Sequence, residues 1–156
     1  MEGRPRRLRP DEVPGWDRYP ETVLLLGDRA LAIDLRTPVP PSAVRACSRL
    51  GLAGPFVVVT AANPPGRAIG VDEAERRHAA LAGDLRAAGA IPIRADGRSP
   101  DGRHREPGWA AALPVAEAVR IAAAYGQAAI FRWDGRRFLI EPVLVDASVI
   151  PLPVPR

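Results

Sequence analysis

The sequence predicts an α+β (mixed α/β) fold, with one central sheet of about five to six strands and two main helices packed on one side. Apolar runs of strand length alternate with two longer stretches whose apolar residues recur at helical spacing. Turn dipeptides and proline clusters separate these segments. At 156 residues, of which 47% are hydrophobic, the chain has the size and composition of one domain. The predicted order is β-β-(α)-β-α-β-α-β-β.

The first elements are a hairpin and a short helix. Apolar residues 22–26 and 30–35 flank Gly27-Asp28, a dipeptide typical of hairpin turns. Prolines end the second strand, and residues 43–50 then predict a short helix. Ser42 is expected to cap this helix and Gly51 to end it.

Residues 56–60 predict the strongest strand. The run Phe-Val-Val-Val-Thr is continuous and β-branched, which is typical of a strand buried on both faces in the middle of a sheet. Residues 71–88 predict the best helix, with one apolar stripe that includes His78 and a stop at Gly89. Because it lies in that stripe, His78 is expected in the core.

The second half predicts another strand, an irregular segment, a helix and a hairpin. Residues 90–93 are expected to form a short strand, in which Pro92 indicates either a sheet edge or an early position in the ladder. Residues 96–113 are expected to be irregular. A helix is predicted from Pro114 to about residue 125. Residues 127–133 and 136–145 then form a hairpin around Asp134-Gly135.

The predicted domain spans residues 21–146. Residues 1–20 are polar, arginine-rich and broken by prolines, which predicts a flexible basic N-terminal arm. Residues 147–156 are expected to be a proline-rich C-terminal tail. A structural interpretation is therefore open, in which the terminal segments dock a partner.

The charge balance favours anionic ligands. All 22 basic residues are Arg, the net charge is +4 and the sequence pI is about 10.4. Arginine grips phosphate through a planar fork of donors, although GC-rich codons also explain its abundance. An anionic nucleotide or a small RNA-like ligand is the expected partner.

Several classes of protein are excluded. One cysteine and two distant histidines predict neither a disulfide nor a metal site, and no cofactor is expected. The glycines match neither the P-loop nor the dinucleotide-binding pattern. With no signal peptide and no apolar run that could span a membrane, a cytoplasmic location is expected.

Residues 94–109 are the most informative segment. They hold four Arg, one His, two Asp and one Glu, and long irregular segments inside compact domains are often functional. We predict that His104 or Glu106 moves a proton, while Arg98 and Arg105 bind phosphate. The predicted catalytic residues are His104, Arg105 and Glu106, and the predicted ligand-binding residues of this segment are Arg98, Ser99 and Trp109. The alternative is a solvated charged loop rich in turn formers.

Other candidate ligand-binding residues come from separate segments. Asn63 and Arg67 follow the central strand, Arg76 and Arg77 lie near the start of the best helix, and Gln127 follows Gly126. A helix start offers free N–H groups to anions. Each residue also has a structural interpretation: Asn63 as a turn former, the arginines as surface charges, and Gln127 as a partner of loop backbone.

Five motifs in this order resemble a known family. They are Thr60-Ala-Ala-Asn-Pro64, Glu73 with Arg76-Arg77, Gly97-Arg-Ser-Pro-Asp-Gly102, Glu106-Pro107 with Trp109, and Tyr125-Gly-Gln-Ala-Ala-Ile-Phe131. Together they resemble a bacterial family known as a domain of unknown function, number 3293, over about residues 56–137. Ala74 stands where the family usually has Asn, and Gly70 replaces a frequent Ser cap. The resemblance implies an association with antiphage defence, where cyclic oligonucleotide signals are made and destroyed.

The leading functional hypothesis is a metal-independent phosphodiesterase. A ring-nuclease-like enzyme of this kind would cleave RNA-type linkages in a small cyclic oligonucleotide, such as cyclic oligoadenylate, by in-line attack of the substrate 2′-hydroxyl. Asn63 and Gln127 would position the ligand. A homodimer would suit a symmetric ring. The alternative is a non-catalytic nucleotide or nucleic-acid binding module in an antiphage defence or toxin-related system.

Overall fold

The computed structural model describes residues 6–155, which form an α+β fold with three α-helices, two short 3-10 helices and a nine-stranded sheet. The strands are β1 (Val23–Leu26), β2 (Leu31–Asp34), β3 (Phe56–Thr60), β4 (Ile93–Arg98), β5 (Arg105–Glu106), β6 (Gly108–Ala111), β7 (Ala129–Trp133), β8 (Phe138–Pro142) and β9 (Ile150–Pro151). The α-helices are α1 (Pro41–Arg49), α2 (Val71–Ala87) and α3 (Val115–Ala124). The predicted α+β class is confirmed, whereas the predicted strand count of five to six is wrong.

The strands lie in the order β2-β1-β4-β6-β3-β7-β8-β9, with β5 beside β4. Every pair of neighbouring strands is antiparallel. The predicted central position of β3 is confirmed, since it lies between β6 and β7. Because its neighbours run the opposite way, the end of β3 is not part of a crevice between parallel strands.

The two faces of the sheet carry separate cores. On β3, Phe56 and Val58 point to the face that α1 covers, which we call the first face. Val57 and Val59 point to the opposite side, the second face, where buried residues of α2 and α3 pack. This alternation follows from the two-residue period of a strand. Both main helices therefore pack on one side of the sheet.

The sheet curls around its first face. Leu24 of β1 and Ile33 of β2 belong to the same core cluster as Phe138 and Ile140 of β8, although β2 and β8 lie near opposite ends of the strand order. Cys47 of α1 also belongs to this cluster and is buried. Burial raises the pKa of its thiol. The first-face core therefore joins both halves of the sheet.

Strands β4, β5 and β6 form one hairpin, which corrects two predictions. Gly97 pairs with Glu106 and Arg94 with Trp109, in a single register on either side of Pro107. The backbone N–H of Ser99 also donates to the His104 carbonyl (2.9 Å). Residues 100–103 are therefore the turn. The segment predicted to be irregular is a β-hairpin. Of residues 90–93, which were predicted to form a strand, only Ile93 is in one; it begins β4, which lies inside the sheet between β1 and β6.

The helices begin and end close to their predicted bounds. Helix α1 starts at Pro41 with Pro40 as its N-cap, so Ser42 lies inside the helix and is not the predicted cap. Helix α2 runs up to Ala87, and Gly89 follows with φ 97°, a conformation that glycine adopts without strain. No helix within residues 6–155 is long and apolar enough to cross a membrane.

The described parts of the predicted arm and tail pack on the domain. Val13 is 3% exposed and Leu152 is 2% exposed. Leu8 forms a parallel bridge with Val145, and β9 pairs with β8. Residues 1–5 of the arm and residue 156 of the tail lie outside the described residues.

Candidate functional site

The β4–β5 hairpin places the predicted site residues on opposite faces of the sheet. Residues paired across neighbouring strands point to the same face, so Glu106 lies with Gly97 and Arg105 lies with Arg98. The first pair shares its face with Ala95, which is buried in the first-face core. His104, two residues before Glu106, joins that side. The predicted proton carriers are thereby separated from the predicted phosphate ligands.

Three side chains converge on the first face. The Glu106 Oε1 atom accepts a hydrogen bond from Asn63 Nδ2 at 3.1 Å and lies 3.1 Å from His104 Nε2. We call these residues the Asn63–His104–Glu106 cluster. Asn63 has φ 45°, in the left-handed region that asparagine tolerates better than most residues. The cluster joins the end of β3 to β5.

The cluster fixes the tautomer of His104. An ionised carboxylate only accepts hydrogen bonds, so the His104 nitrogen that faces Glu106, Nε2, carries the proton. In the neutral imidazole, Nδ1 then presents a lone pair, and this nitrogen has no hydrogen-bond partner within residues 6–155. The His104 side chain is 65% exposed. This nitrogen can therefore accept a proton from a bound molecule.

The turn before His104 is held by its own side chains. Ser99 Oγ donates to Asp101 Oδ1 (2.6 Å) and accepts from the His104 backbone N–H (3.0 Å). The Arg103 N–H donates to the same Asp101 oxygen (3.0 Å). The hydrogen bond from Ser99, and then that from Arg103, lowers the pKa of Asp101. Ser99 thus acts within the turn and fixes the backbone of His104.

Gln127 lies behind the first-face cluster and is buried. Its Nε2 donates to the carbonyls of Ala62 (3.1 Å) and Tyr125 (3.3 Å), and its Oε1 accepts from the Thr60 hydroxyl (3.0 Å). Both the amide nitrogen and the amide oxygen are therefore engaged by the protein. Since Ala62 directly precedes Asn63, Gln127 fixes the backbone from which Asn63 reaches Glu106.

Arg77 connects two loops near the same backbone. Its Nε donates to the Ala61 carbonyl (2.9 Å), and its Nη2 donates to the Tyr125 carbonyl. The guanidinium also lies 5.5 Å from the centre of the Tyr125 ring. The Tyr125 hydroxyl donates to Asp84 (2.6 Å), and burial, followed by this hydrogen bond, raises the Tyr125 pKa to about 12. Arg77 is thus bound to backbone.

Two other predicted arginines lie away from the cluster. Arg67 forms an ion pair with Glu73, at the start of α2. Arg76 is exposed on α2 and has no ion-pair partner in the described part of the chain. Within residues 6–155, neither arginine donates a hydrogen bond to the Asn63–His104–Glu106 cluster.

On the second face, a buried carboxylate that the sequence analysis missed holds two arginines. The Asp96 side chain is 2% exposed, and its Oδ2 lies 2.7 Å from Arg105 Nη2 and 2.9 Å from Arg105 Nε. Arg94 lies 3.5 Å from the same carboxylate. The alternation of Arg94, Asp96 and Arg98 with small residues was the signal for a strand with a polar face.

Trp109 packs within the second face. Its Nε1 donates to the His78 carbonyl (2.9 Å), and its ring stacks on the His78 imidazole at 4.5 Å between centres. Burial, and then the nearby Arg94 charge, lower the pKa of His78, while Asp96 opposes them. His78 Nδ1 is buried without a partner among the described residues. One face of the Trp109 ring and its N–H are therefore already engaged.

The region that holds these residues matches one family model, whose description is "Protein of unknown function (DUF3293)", over residues 59–130. The resemblance predicted from the five motifs is confirmed. None of the curated proteins and none of the solved structures compared with the chain matches it significantly.

The DUF3293 match includes the whole Asn63–His104–Glu106 cluster and Gln127, but one neighbour of the cluster lies outside it. Burial raises the pKa of Tyr19 to about 12, and the Glu106 carboxylate contributes to this shift. The Tyr19 ring lies 4.9 Å from the Trp16 ring and 6.5 Å from the Phe131 ring. Nothing in the polar N-terminal sequence indicated this aromatic wall, which consists of Trp16, Tyr19 and Phe131.

Proposed function

We propose that this protein is a metal-independent phosphodiesterase that cleaves RNA-type linkages. The observation that carries the proposal is the free Nδ1 of His104, on an imidazole whose other nitrogen is held by Glu106. In this reaction, His104 Nδ1 takes the proton of the substrate 2′-hydroxyl. The 2′-oxygen attacks phosphorus, and the bond to the 5′-oxygen breaks. The proton then passes to that oxygen, leaving a 2′,3′-cyclic phosphate and a 5′-hydroxyl.

The cluster supports this role because each member orients the next. A base oriented by a third group is the arrangement that activates hydroxyl nucleophiles in many enzymes. Asn63 holds the Glu106 carboxylate, and Glu106 holds the imidazole and stabilises the imidazolium that forms. A positioned acid–base group of this kind contributes about 10²- to 10⁴-fold to a rate.

The proposed charge partner for the phosphate is Arg103. It directly precedes His104 in the turn, and its side chain is 90% exposed, with Asp101 at 3.9 Å. An arginine fork fits the oxygens of a phosphate. The net charge of +4 also favours the approach of an anionic substrate.

The proposed substrate is a small cyclic oligonucleotide, such as cyclic oligoadenylate. Such a ring has no free ends, and each of its linkages carries the neighbouring 2′-hydroxyl that the reaction needs. The aromatic wall of Trp16, Tyr19 and Phe131 lies on the same face as the cluster and suits an adenine base. A homodimer would present two copies of the cluster to a two-fold symmetric ring.

The test is cleavage of cyclic oligoadenylate in EDTA, with linear products identified by mass spectrometry. The wild type should yield 2′,3′-cyclic phosphate ends. His104→Ala should lose about 10²- to 10⁴-fold in rate because it removes the proton acceptor. Glu106→Gln should lower the rate less, because the amide can still contact the imidazole. Glu117→Gln, which removes an exposed carboxylate paired with Arg120 on α3, is the matched control and should cleave normally.

Absence of linear product from folded wild-type protein would refute the enzyme proposal. A His104→Ala variant that cleaves at the wild-type rate would refute the assigned role of His104.

A binding module without turnover is the second candidate. It is favoured by Arg76 and Arg98, which have no ion-pair partner within residues 6–155 and so leave charge available to a ligand. This candidate predicts nucleotide or nucleic-acid binding that weakens steeply with salt and no product. Under it, His104→Ala would bind like the wild type.

A further inference from the structure

The second face of the hairpin holds an arginine pair that the proposed chemistry does not use. Arg98 and Arg105 are directly opposed on β4 and β5. Side chains in this relation have Cβ atoms about 5 Å apart, and like charges so placed destabilise a sheet. Asp96 compensates Arg105. Arg98 is half-buried and has no ion pair or side-chain hydrogen bond in the described part of the chain.

The surface around this pair is positively charged. Arg94 and Arg105 share the Asp96 carboxylate, while Arg36 on the neighbouring edge pairs with Asp34. The pKa of Asp34 is lowered mainly by its hydrogen bond with Arg36, and to a smaller extent by the charge of Arg98. Four arginines and two aspartates leave a net charge of two positive units. The guanidinium of Arg98 is the one without a bonded carboxylate among these residues.

This surface is also open. The side chains of Arg94 and Arg105 are 56% and 53% exposed, and that of Arg36 is 48% exposed. Helices α2 and α3 pack instead on β6, β3 and β7. The second face is therefore covered by helices at its centre and exposed at the β4–β5 hairpin.

We propose that Arg98 and Arg105 form a phosphate-binding site for the backbone of single-stranded RNA, separate from the Asn63–His104–Glu106 cluster. A phosphate between the two guanidiniums converts their repulsion into two attractive contacts, of which the one from Arg98 can be bidentate. Arg105 uses Nε and Nη2 for Asp96, which leaves Nη1 for the ligand. The buried Asp96 carboxylate thus holds Arg105 in place for binding.

The two sites are linked by the free edge of β5. Within residues 6–155, strand β5 pairs with β4 only, and β3 ends at Thr60, before it would reach β5. An RNA strand can therefore pass this edge from the arginine pair to the opposite face. The choice of RNA over DNA rests on the proposed function, whereas the phosphate site itself does not.

The test is binding of a fluorescently labelled single-stranded oligoribonucleotide, measured by anisotropy over a range of salt concentrations in EDTA. Arg98→Gln should weaken binding by about 3- to 10-fold at low salt. It should also reduce the slope of log K against log salt by about 0.7, the value for one phosphate contact with a single strand. Arg49→Gln, which removes one exposed charge from α1, should leave the slope unchanged. Circular dichroism verifies that both variants are folded.

Equal losses for Arg98→Gln and Arg49→Gln would overturn the proposal, because binding would then depend on net charge alone. Unchanged binding by folded Arg98→Gln would overturn it as well. Cleavage of cyclic oligoadenylate is measured in parallel. If the wild type does not cleave but Arg98→Gln still loses affinity selectively, the phosphate site stands and the enzyme proposal fails. If the wild type cleaves normally and Arg98→Gln shows no selective loss of affinity, the enzyme proposal stands and the phosphate site fails.

Discussion

At the scale of single residues, Gly108 is the glycine within residues 6–155 at which an added Cβ would meet the closest contacts. A Cβ at this residue would lie 2.7 Å from the Val59 carbonyl oxygen and 2.8 Å from the Ala95 carbonyl oxygen. Both oxygens are backbone atoms of neighbouring strands, so neither can move without shifting the sheet. Gly108 is thus the residue that lets β6 lie between β3 and β4 at the end nearest Asn63 and Glu106.

Gly108→Ala should destabilise the protein by about 1–3 kcal/mol, the usual cost of overpacking a closely packed site. Gly83→Ala is the control, because nothing lies within 4 Å of a Cβ there and Gly83 is inside α2. That change should stabilise the protein by about 0.5–1 kcal/mol through helix propensity. Urea denaturation measures both free energies of unfolding. Equal effects of the two substitutions would contradict the close-packing argument.

Residue types at the first-face cluster were predictable, but their partnership was not. Asn63, His104 and Glu106 each stood out by chemistry and by place in the chain. The hydrogen bonds between them depend on bringing the end of β3 beside β5, which no local pattern specifies. Asp96 was missed because a carboxylate between arginines usually indicates a solvated loop, and its burial depends on pairing with Arg105.

At the scale of elements, the β4–β5–β6 hairpin shows why charged strands escape prediction. Its sequence has few β-branched residues, so intrinsic propensity does not favour a strand. The pairing of β4 with β1 on one side and with β5 and β6 on the other stabilises it instead. The hairpins at β1–β2 and β7–β8 and the three helices carry strong local signals, and these predictions are confirmed apart from small shifts in their ends.

Arg77 gives a prediction about how elements are joined. It binds the backbone after β3 and the backbone after α3, so Arg77→Leu should release both loops. A lost hydrogen bond with a charged donor costs about 1.5–3 kcal/mol, and we expect a total destabilisation near the upper end of that range. Thermal and urea unfolding measure the effect. Arg76→Leu, at the exposed neighbouring position, should change stability by less than about 0.5 kcal/mol. Comparable losses of stability in the two variants would refute the role of Arg77 in joining the two loops.

At the scale of the whole molecule, the sheet is assembled from segments far apart in the sequence. Strand β1 pairs with β4, and β9 near the C-terminus pairs with β8. The sheet has nine strands, whereas five to six were predicted. Very short strands such as β5 and β9 were not predicted because they have no sequence pattern of their own. The fold class was predictable from local patterns, whereas the strand order was not.

The C-terminal segment gives a prediction at this scale. Leu152 is 2% exposed in the first-face core, so Leu152→Ala should destabilise the protein by about 2–5 kcal/mol. Val154→Ala, at a position that is 44% exposed, should have an effect of less than about 0.5 kcal/mol. Urea denaturation compares the two. If residues 147–156 served mainly to dock a partner, Leu152→Ala would leave the free energy of unfolding unchanged.

The strand order also has a consequence for how the chain folds. Strands β1–β2, β4–β6 and β7–β8 are three local hairpins, each of which can form within its own stretch of sequence. Strand β3 has no sequence neighbour as a partner, since it pairs with β6 and β7 on its two sides. Pairings of this non-local kind slow folding because loops must close before contacts form. Insertion of β3 between two preformed hairpins is therefore expected to limit the rate at which the native sheet is completed.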